Sequence, residues 1–111
     1  MAYIVGIDIG GTKISIIVAR PGGSIIEKRV LKTHVFRAAP RSLEEILQVI
    51  KDLLKKNAVG KRLYAIGVGV PGAIDNRAGI ITRSPNLPGW SGIPLRKILR
   101  NAFHVPVFLD K

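Results

Sequence analysis

The sequence predicts one mixed α/β domain in which an antiparallel β-meander is followed by helix-linked strands. Two observations carry that prediction. Apolar, β-branched runs alternate with turn signals in the first third of the chain and with amphipathic helical segments afterwards, giving the order βββ-α-β-loop-α-β. The 111 residues, 47% hydrophobic and 23% charged, are enough for a single core and have a globular composition.

Tyr3 to Ile9 is an apolar, β-branched run that reads as a buried strand, and Gly10-Gly11 breaks it. Lys13 to Arg20 is a second such run, Pro21-Gly22-Gly23 a turn, and Ser24 to Lys32 a third strand. A helix is predicted from Ser42 to about Asn57. Ser42 with Glu45 forms a capping-box pattern, and Leu43, Ile46, Leu47, Ile50, Leu53 and Leu54 recur on one face. Lys55 and Lys56 suit the negative end of its dipole, and Gly60 is the expected stop. Leu63 to Val70 is another buried strand. The stretch from Pro71 to Trp90 is rich in Gly, Pro and Asn, with one short piece, Gly79 to Thr82, able to pair. Pro94 opens a second helix whose apolar face is Leu95, Ile98, Leu99 and Ala102, and Val105 to Leu109 is the last strand.

Eighteen Lys and Arg against seven Asp and Glu give a formal net charge of +11. Such a balance favours polyanionic partners, or is simply a solvated basic surface. The basic residues are scattered, in pairs no longer than Lys28-Arg29, Lys55-Lys56, Lys61-Arg62 and Arg96-Lys97, with no basic tail and no RNA-stacking aromatic motif. There is no cysteine, which excludes a disulfide scaffold, a thiolate zinc site and a cysteine nucleophile within this chain. No run approaches the ~18 apolar residues needed to span a bilayer, and the N-terminus lacks a signal-peptide pattern, so a cytoplasmic protein is expected.

Asp8-Ile9-Gly10-Gly11-Thr12-Lys13 is the sharpest local signal. Two glycines at a strand end permit positive φ and leave backbone N–H groups open to an anion. Thr12 adds a hydroxyl donor, Lys13 a charge, and Asp8 an oxygen ligand suited to hydrated Mg²⁺. An ordinary Gly-Gly hairpin is the plain alternative. The lysine follows the threonine and a strand follows both, so this is not a Walker A loop. Gly67-Val68-Gly69-Val70-Pro71-Gly72 matches G-x-G-x-x-G only formally, because no helix follows it. It reads better as a strand of small residues that another backbone or a ligand approaches closely. Ser84-Pro85-Asn86-Leu87-Pro88-Gly89-Trp90 is a proline-stiffened loop. Asn86 there offers donors and an acceptor to a hydroxyl, and Trp90 either walls a pocket or caps the core. His34 and His104 read as structural or surface residues, and Asp75 as a turn former. Asp110 sits at a strand end, where active-site acids occur in α/β folds, or is a terminal surface acid. No metal site is assigned from the protein's own residues alone.

These three motifs in this order, followed by Leu95 at a helix start and by Val105-Pro106-Val107, resemble the ROK family of sugar kinases and sugar-responsive repressors. The resemblance covers nearly the whole chain. It implies a ribonuclease-H-like, actin-like ATPase lobe and ATP-dependent, Mg²⁺-assisted phosphorylation of a hexose hydroxyl. It also implies ATP phosphate and Mg²⁺ binding at Asp8, Gly10, Gly11, Thr12 and Lys13, and sugar contacts at Gly72 and Asn86. The Pro-Asn-Leu-Pro-Gly-Trp loop is similar to that of glucokinase-like members, which makes glucose the default hexose, and the family suggests a homodimer. Members normally carry Asn-Asp after the last strand, the Asp being the general base. Here Lys111 falls on the Asn, so that Asp is expected just after Lys111, and no catalytic residue is assigned within the chain.

The expectation is therefore the N-terminal lobe of a hexose kinase, residues 1–111 forming one domain, inactive without the other lobe. The alternatives are the sugar-sensing domain of a ROK repressor and a non-catalytic remnant. Only seven residues precede Asp8, too few for a helix-turn-helix, so nucleic acid is not the expected partner. Apolar surface normally covered by a second lobe is expected to be exposed.

Overall fold

Alternate residues of the first strand are buried, and that period of two organises the whole molecule. The computed structural model describes residues 2–32, 39–57, 62–70, 72–83 and 88–110. The strands are β1 (Ala2–Ile9), β2 (Lys13–Ala19), β3 (Ile25–Lys32), β4 (Arg62–Gly69), β5 (Ala73–Asp75), β6 (Ile80–Arg83) and β7 (Val107–Asp110). The helices are α1 (Ala39–Asn57) and α2 (Leu95–Phe103), and a single 3-10 turn spans Pro88–Trp90. Five strands form one sheet in the order β3-β2-β1-β4-β7, while β5 and β6 pair separately. The β1–β2 and β2–β3 pairs are antiparallel, and β1–β4 and β4–β7 are parallel. This is the mixed sheet that the sequence predicts, a meander extended by helix-linked parallel strands.

One face of the sheet carries the core. Val5, Ile7 and Ile9 align with Val18, Ile16 and Ile14 across β2, and Val5 and Ile7 with Ile66 and Val68 across β4. Against this β-branched layer pack Leu43, Ile46, Ile50 and Leu53 of α1 and Leu95 and Leu99 of α2, all in one buried cluster. Each such side chain contributes about 1.5–3 kcal/mol on burial. Trp90 is buried in the same cluster, so of its two sequence readings the core cap is the one observed. The opposite face of the sheet carries neither helix. Ile25, Val30 and Phe108 are exposed on it, and Tyr64 of β4 is exposed as well.

Helix α1 starts three residues before the predicted N-cap. Pro40 lies in its first turn, where a missing N–H costs no intrahelical bond. Ser42 is consequently inside the helix and buried. Its Oγ has no hydrogen-bond partner among the described residues, so it does not cap the helix. At the other end Lys55 and Lys56 occupy the last turn as predicted, and the Asn57 amide donates to the Leu53 carbonyl. Asn57 also donates to Glu27 Oε1 of β3 at 3.0 Å, and Lys56 Nζ lies 3.1 Å from the same oxygen. The Asn57 hydrogen bond, then Lys56, holds the Glu27 carboxyl below the usual carboxylate value. The predicted stop at Gly60 and His34 lie outside the described residues. Pro94 is the N-cap of α2 rather than its first residue, and β7 begins at Val107, two residues later than predicted, and runs on to Asp110. No helix among the described residues is long and apolar enough to cross a membrane.

Candidate functional site at the strand ends

The parallel register decides what meets at the carboxyl ends of the central strands. Asp8 of β1 pairs with Gly69 of β4, and Gly69 pairs with Asp110 of β7. Ile7 and Val68 point into the core, so Asp8, Gly69 and Asp110 share the opposite, open face. With strands about 4.8 Å apart, the two aspartate Cα atoms stand about 10 Å from one another with a glycine between them. Asp8 and Asp110 are both exposed. A Cβ added at Gly69 would lie 3.6 Å from Asp8 Oδ1, so the missing side chain keeps a notch open beside that carboxylate. Crevices outside the carboxyl ends of parallel strands are where open α/β sheets bind ligands.

The β1–β2 hairpin follows Asp8 directly. Gly10 N–H donates to the Lys13 carbonyl at 2.9 Å, which closes the turn. The need for glycine here differs from the one predicted. Positive φ is found at Gly23, Gly72, Gly79 and Gly92, not at Gly10 or Gly11. At Gly10 the constraint is space, because a Cβ would stand 2.9 Å from the Lys13 oxygen. Because the Gly10 N–H is committed within the hairpin, an anion would be met by Gly11, Thr12 and the Lys13 ammonium. Thr12 and Lys13 are exposed. Along the open face a shallow cavity of about 330 Å³ runs from Asp8 and Gly67 past Ser15 to Lys28 of β3. Lys28 had no signal in the sequence beyond its charge.

Gly72 follows the end of β4 and adopts φ +94°, a backbone region that a side chain would strain. The Val70 N–H donates to the Asp110 carbonyl, tying the start of this segment to β7. Asn86 lies outside the described residues. Asp75 is a turn former as predicted: its Oδ1 accepts from the N–H groups of Arg77 and Ala78.

Among the described residues no group of three or more His, Cys, Asp or Glu could hold a metal ion. The residues present nonetheless fit a hydrated Mg²⁺ on a phosphate. Mg²⁺ keeps several waters and takes one or two carboxylates, and the space beside Asp8 that a Gly69 side chain would fill is free for such a shell.

Residues 4–111 match the model of the ROK family. The chain belongs to the ROK family. It is 32% identical to a xylose repressor of Caldicellulosiruptor bescii over 96% of this chain and 27% of the repressor. Glucokinases are also among its curated relatives. Of the solved ROK structures, the ROK hexokinase from Thermus thermophilus matches with 37% identity and a TM-score of 0.81, over 97% of this chain and 34% of that one. A ROK family glucokinase from Streptomyces griseus, solved in complex with glucose and AMPPNP, matches with 27% identity and a TM-score of 0.74, over 98% and 33%. The chain thus spans about a third or less of the length of these ROK relatives, and its fold is that of a ROK N-terminal, actin-like ATPase lobe.

Proposed function

We propose that this chain is the N-terminal lobe of an ATP-dependent hexose kinase. Asp8 and the Gly10–Lys13 hairpin would hold the Mg²⁺-bound phosphates, and Gly72 with Asn86 would form part of the sugar pocket. The observation that carries this reading is the Asp8–Gly69–Asp110 row, an exposed carboxylate beside a glycine-kept notch at the end of the strand that leads into the Gly10–Lys13 hairpin. A domain that only senses sugar has no need of a phosphate-holding turn. The relative solved with glucose and AMPPNP supports glucose as the first substrate to try and ATP as the donor.

The reaction class is in-line phosphoryl transfer. A sugar hydroxyl oxygen bonds to the γ-phosphorus, the bond from that phosphorus to the bridging oxygen of ADP breaks, and the hydroxyl proton passes to a general base. By the family pattern that base is the Asp expected just after Lys111. Within this chain Thr12 would donate a hydrogen bond to a phosphate oxygen, Lys13 would offset its charge, and Asp8 would orient the metal's water shell. Mg²⁺, when bound, neutralises charge developing on the phosphate oxygens. A cytoplasmic location and a homodimer belong to the same proposal.

Titration of the isotope-labelled chain with Mg²⁺·AMPPNP, followed by amide NMR, tests it. Shifts centred on residues 8–13 and 69–72, lost in Asp8→Ala, are expected. Unmoved amides there at millimolar ligand would sink the reading. The second reading, a repressor's sugar-sensing domain, is favoured by the 32% identity to a xylose repressor. It predicts shifts with free xylose or glucose and none with the nucleotide.

A further inference from the structure

The hexose-kinase reading leaves most of the +11 charge unexplained, and part of that charge converges at the other end of β7. There a cleft of about 850 Å³ lies between the β5–β6 turn, one face of α2 and the segment leading into β7. Arg77, Arg96, Lys97, Arg100 and His104 line it together with Asn101, and no carboxylate is among its described lining residues. The volume falls in the range of small-molecule sites. We propose that this cleft binds a compact anion carrying several phosphate charges, an inorganic oligophosphate or a phosphate monoester, at a site separate from the Asp8 notch.

Three features make this more than a basic surface. Arg96, Lys97 and Arg100 sit on α2 so that successive turns present them on one side, while Leu95 and Leu99 face the core. Arg96 and Lys97 lie in the first turn, where the helix dipole disfavours positive charge, and no acidic residue sits in that turn. Helix stability alone therefore does not account for them. The walls are also fixed in advance. Asp75 Oδ1 and the Gly79 N–H to Asp75 carbonyl bond close the turn that carries Arg77. Gly79, at φ +72°, then packs so tightly on α2 that a Cβ there would stand 2.5 Å from Arg96 Cβ. Arg96 Nε donates to the Val107 carbonyl, joining the helix to β7. His104, which lines the cleft, ends α2 in the left-handed conformation at φ 56°, a strained choice for a residue with a side chain.

A concave, preorganised site suits a small polyanion better than a duplex, which needs an extended stripe of charge and a reading element. The observations favour the small anion on that ground.

The test is calorimetric titration of the chain with inorganic tripolyphosphate and with glucose 6-phosphate, paired with amide NMR. The parent, Lys97→Ala, Arg100→Ala and the remote control Lys51→Ala are compared. Lys51, Lys97 and Arg100 are all exposed, so the three variants should fold. Saturable binding is expected, with shifts at Arg77, Lys97, Arg100 and His104. Affinity should fall about tenfold in Lys97→Ala and in Arg100→Ala and stay unchanged in Lys51→Ala. The ratio of the two affinities then tells oligophosphate from monoester. Equal losses in all three variants would reduce the effect to diffuse attraction and overturn the proposal. So would shifts confined to the Asp8–Lys13 hairpin, no saturable binding, or tighter binding of a duplex DNA through the same residues.

Discussion

Gly69→Ala separates the candidate site from the fold that carries it. The backbone of β4 at this position is paired on both sides, and an added Cβ would meet Asp8 Oδ1 at 3.6 Å and the Ile7 carbonyl at 4.0 Å. Both are ordinary van der Waals distances, so the methyl group fits without backbone movement. Replacing glycine by alanine in a strand reduces the entropy lost on folding, worth about 0.5–1 kcal/mol. Against that stands the partial dehydration of one edge of an exposed carboxylate. Stability should therefore match the parent or exceed it by up to about 1 kcal/mol, which is at most about 4–8 °C in Tm for a domain near this size. Ligand binding should move the other way. A water of a Mg²⁺ shell must come within about 2.8 Å of the carboxylate oxygen. The methyl carbon would occupy the space it needs. Loss of one hydrogen bond to a charged group, about 1.5–3 kcal/mol, weakens Mg²⁺·AMPPNP binding roughly ten- to a hundredfold. Thermal unfolding by circular dichroism and titration by amide NMR give the two readouts on one sample. Parent-like nucleotide affinity in Gly69→Ala would refute the notch as the phosphate side. A marked fall in Tm would refute the packing argument instead.

Three further predictions follow from particular side chains. In a catalytically active protein carrying this lobe, Asp8→Ala should abolish turnover while the circular dichroism spectrum and Tm stay parent-like, since Asp8 is exposed; normal activity would remove its assignment. Asn86→Ala in the same protein should raise the KM for the sugar far more than the KM for ATP, and equal increases would count against a sugar role. Glu27, whose folded pKa is lowered by Asn57 and Lys56, contributes stability present above its unfolded pKa and lost as pH falls through its folded pKa. Tm measured from pH 7 downward should therefore be higher for the parent than for Glu27→Gln near neutrality, the two curves converging once pH lies below the ordinary glutamate range of about 4.3. A constant gap down to low pH would mean that Glu27 acts through packing and not through its charge.

Much of the scaffold was legible because burial writes a period into the sequence. The β-branched runs gave β1 to β4 within a residue or two, and the apolar face of α1 was read correctly. What escaped was set by partners distant in the chain. The Ser42–Glu45 pattern looked like a helix start, yet packing buries Ser42 within α1, which begins at Ala39. The three residues of β5 are too few to show a period and become a strand only by pairing with β6. Asp110 carried only its position at a strand end. Its place beside Gly69 follows from the parallel register of β4 and β7, fixed by how the segment through α2 crosses the sheet. The basic cleft was invisible for the same reason, since Arg77 and His104 meet through two separate elements.

The kinase and repressor readings place the same demands on the core of this lobe. Ile16, Ile50 and Leu99 serve any ROK protein that needs the sheet and its two helices, so no destabilising core substitution can tell the readings apart. Discrimination must come from side chains that the fold does not use. Asp8, Thr12 and Lys13 are exposed, add nothing to the buried cluster, and stand at the end of β1 and in the turn into β2. Surface substitutions of this kind usually change stability by less than about 0.5 kcal/mol. Any large effect they have on nucleotide binding is then a functional signal free of unfolding. If Thr12→Ala and Lys13→Ala leave both stability and nucleotide binding untouched, the hairpin is only a turn and the repressor reading gains. If they weaken nucleotide binding at unchanged Tm, the turn holds phosphate, and a purely sugar-sensing domain does not account for it.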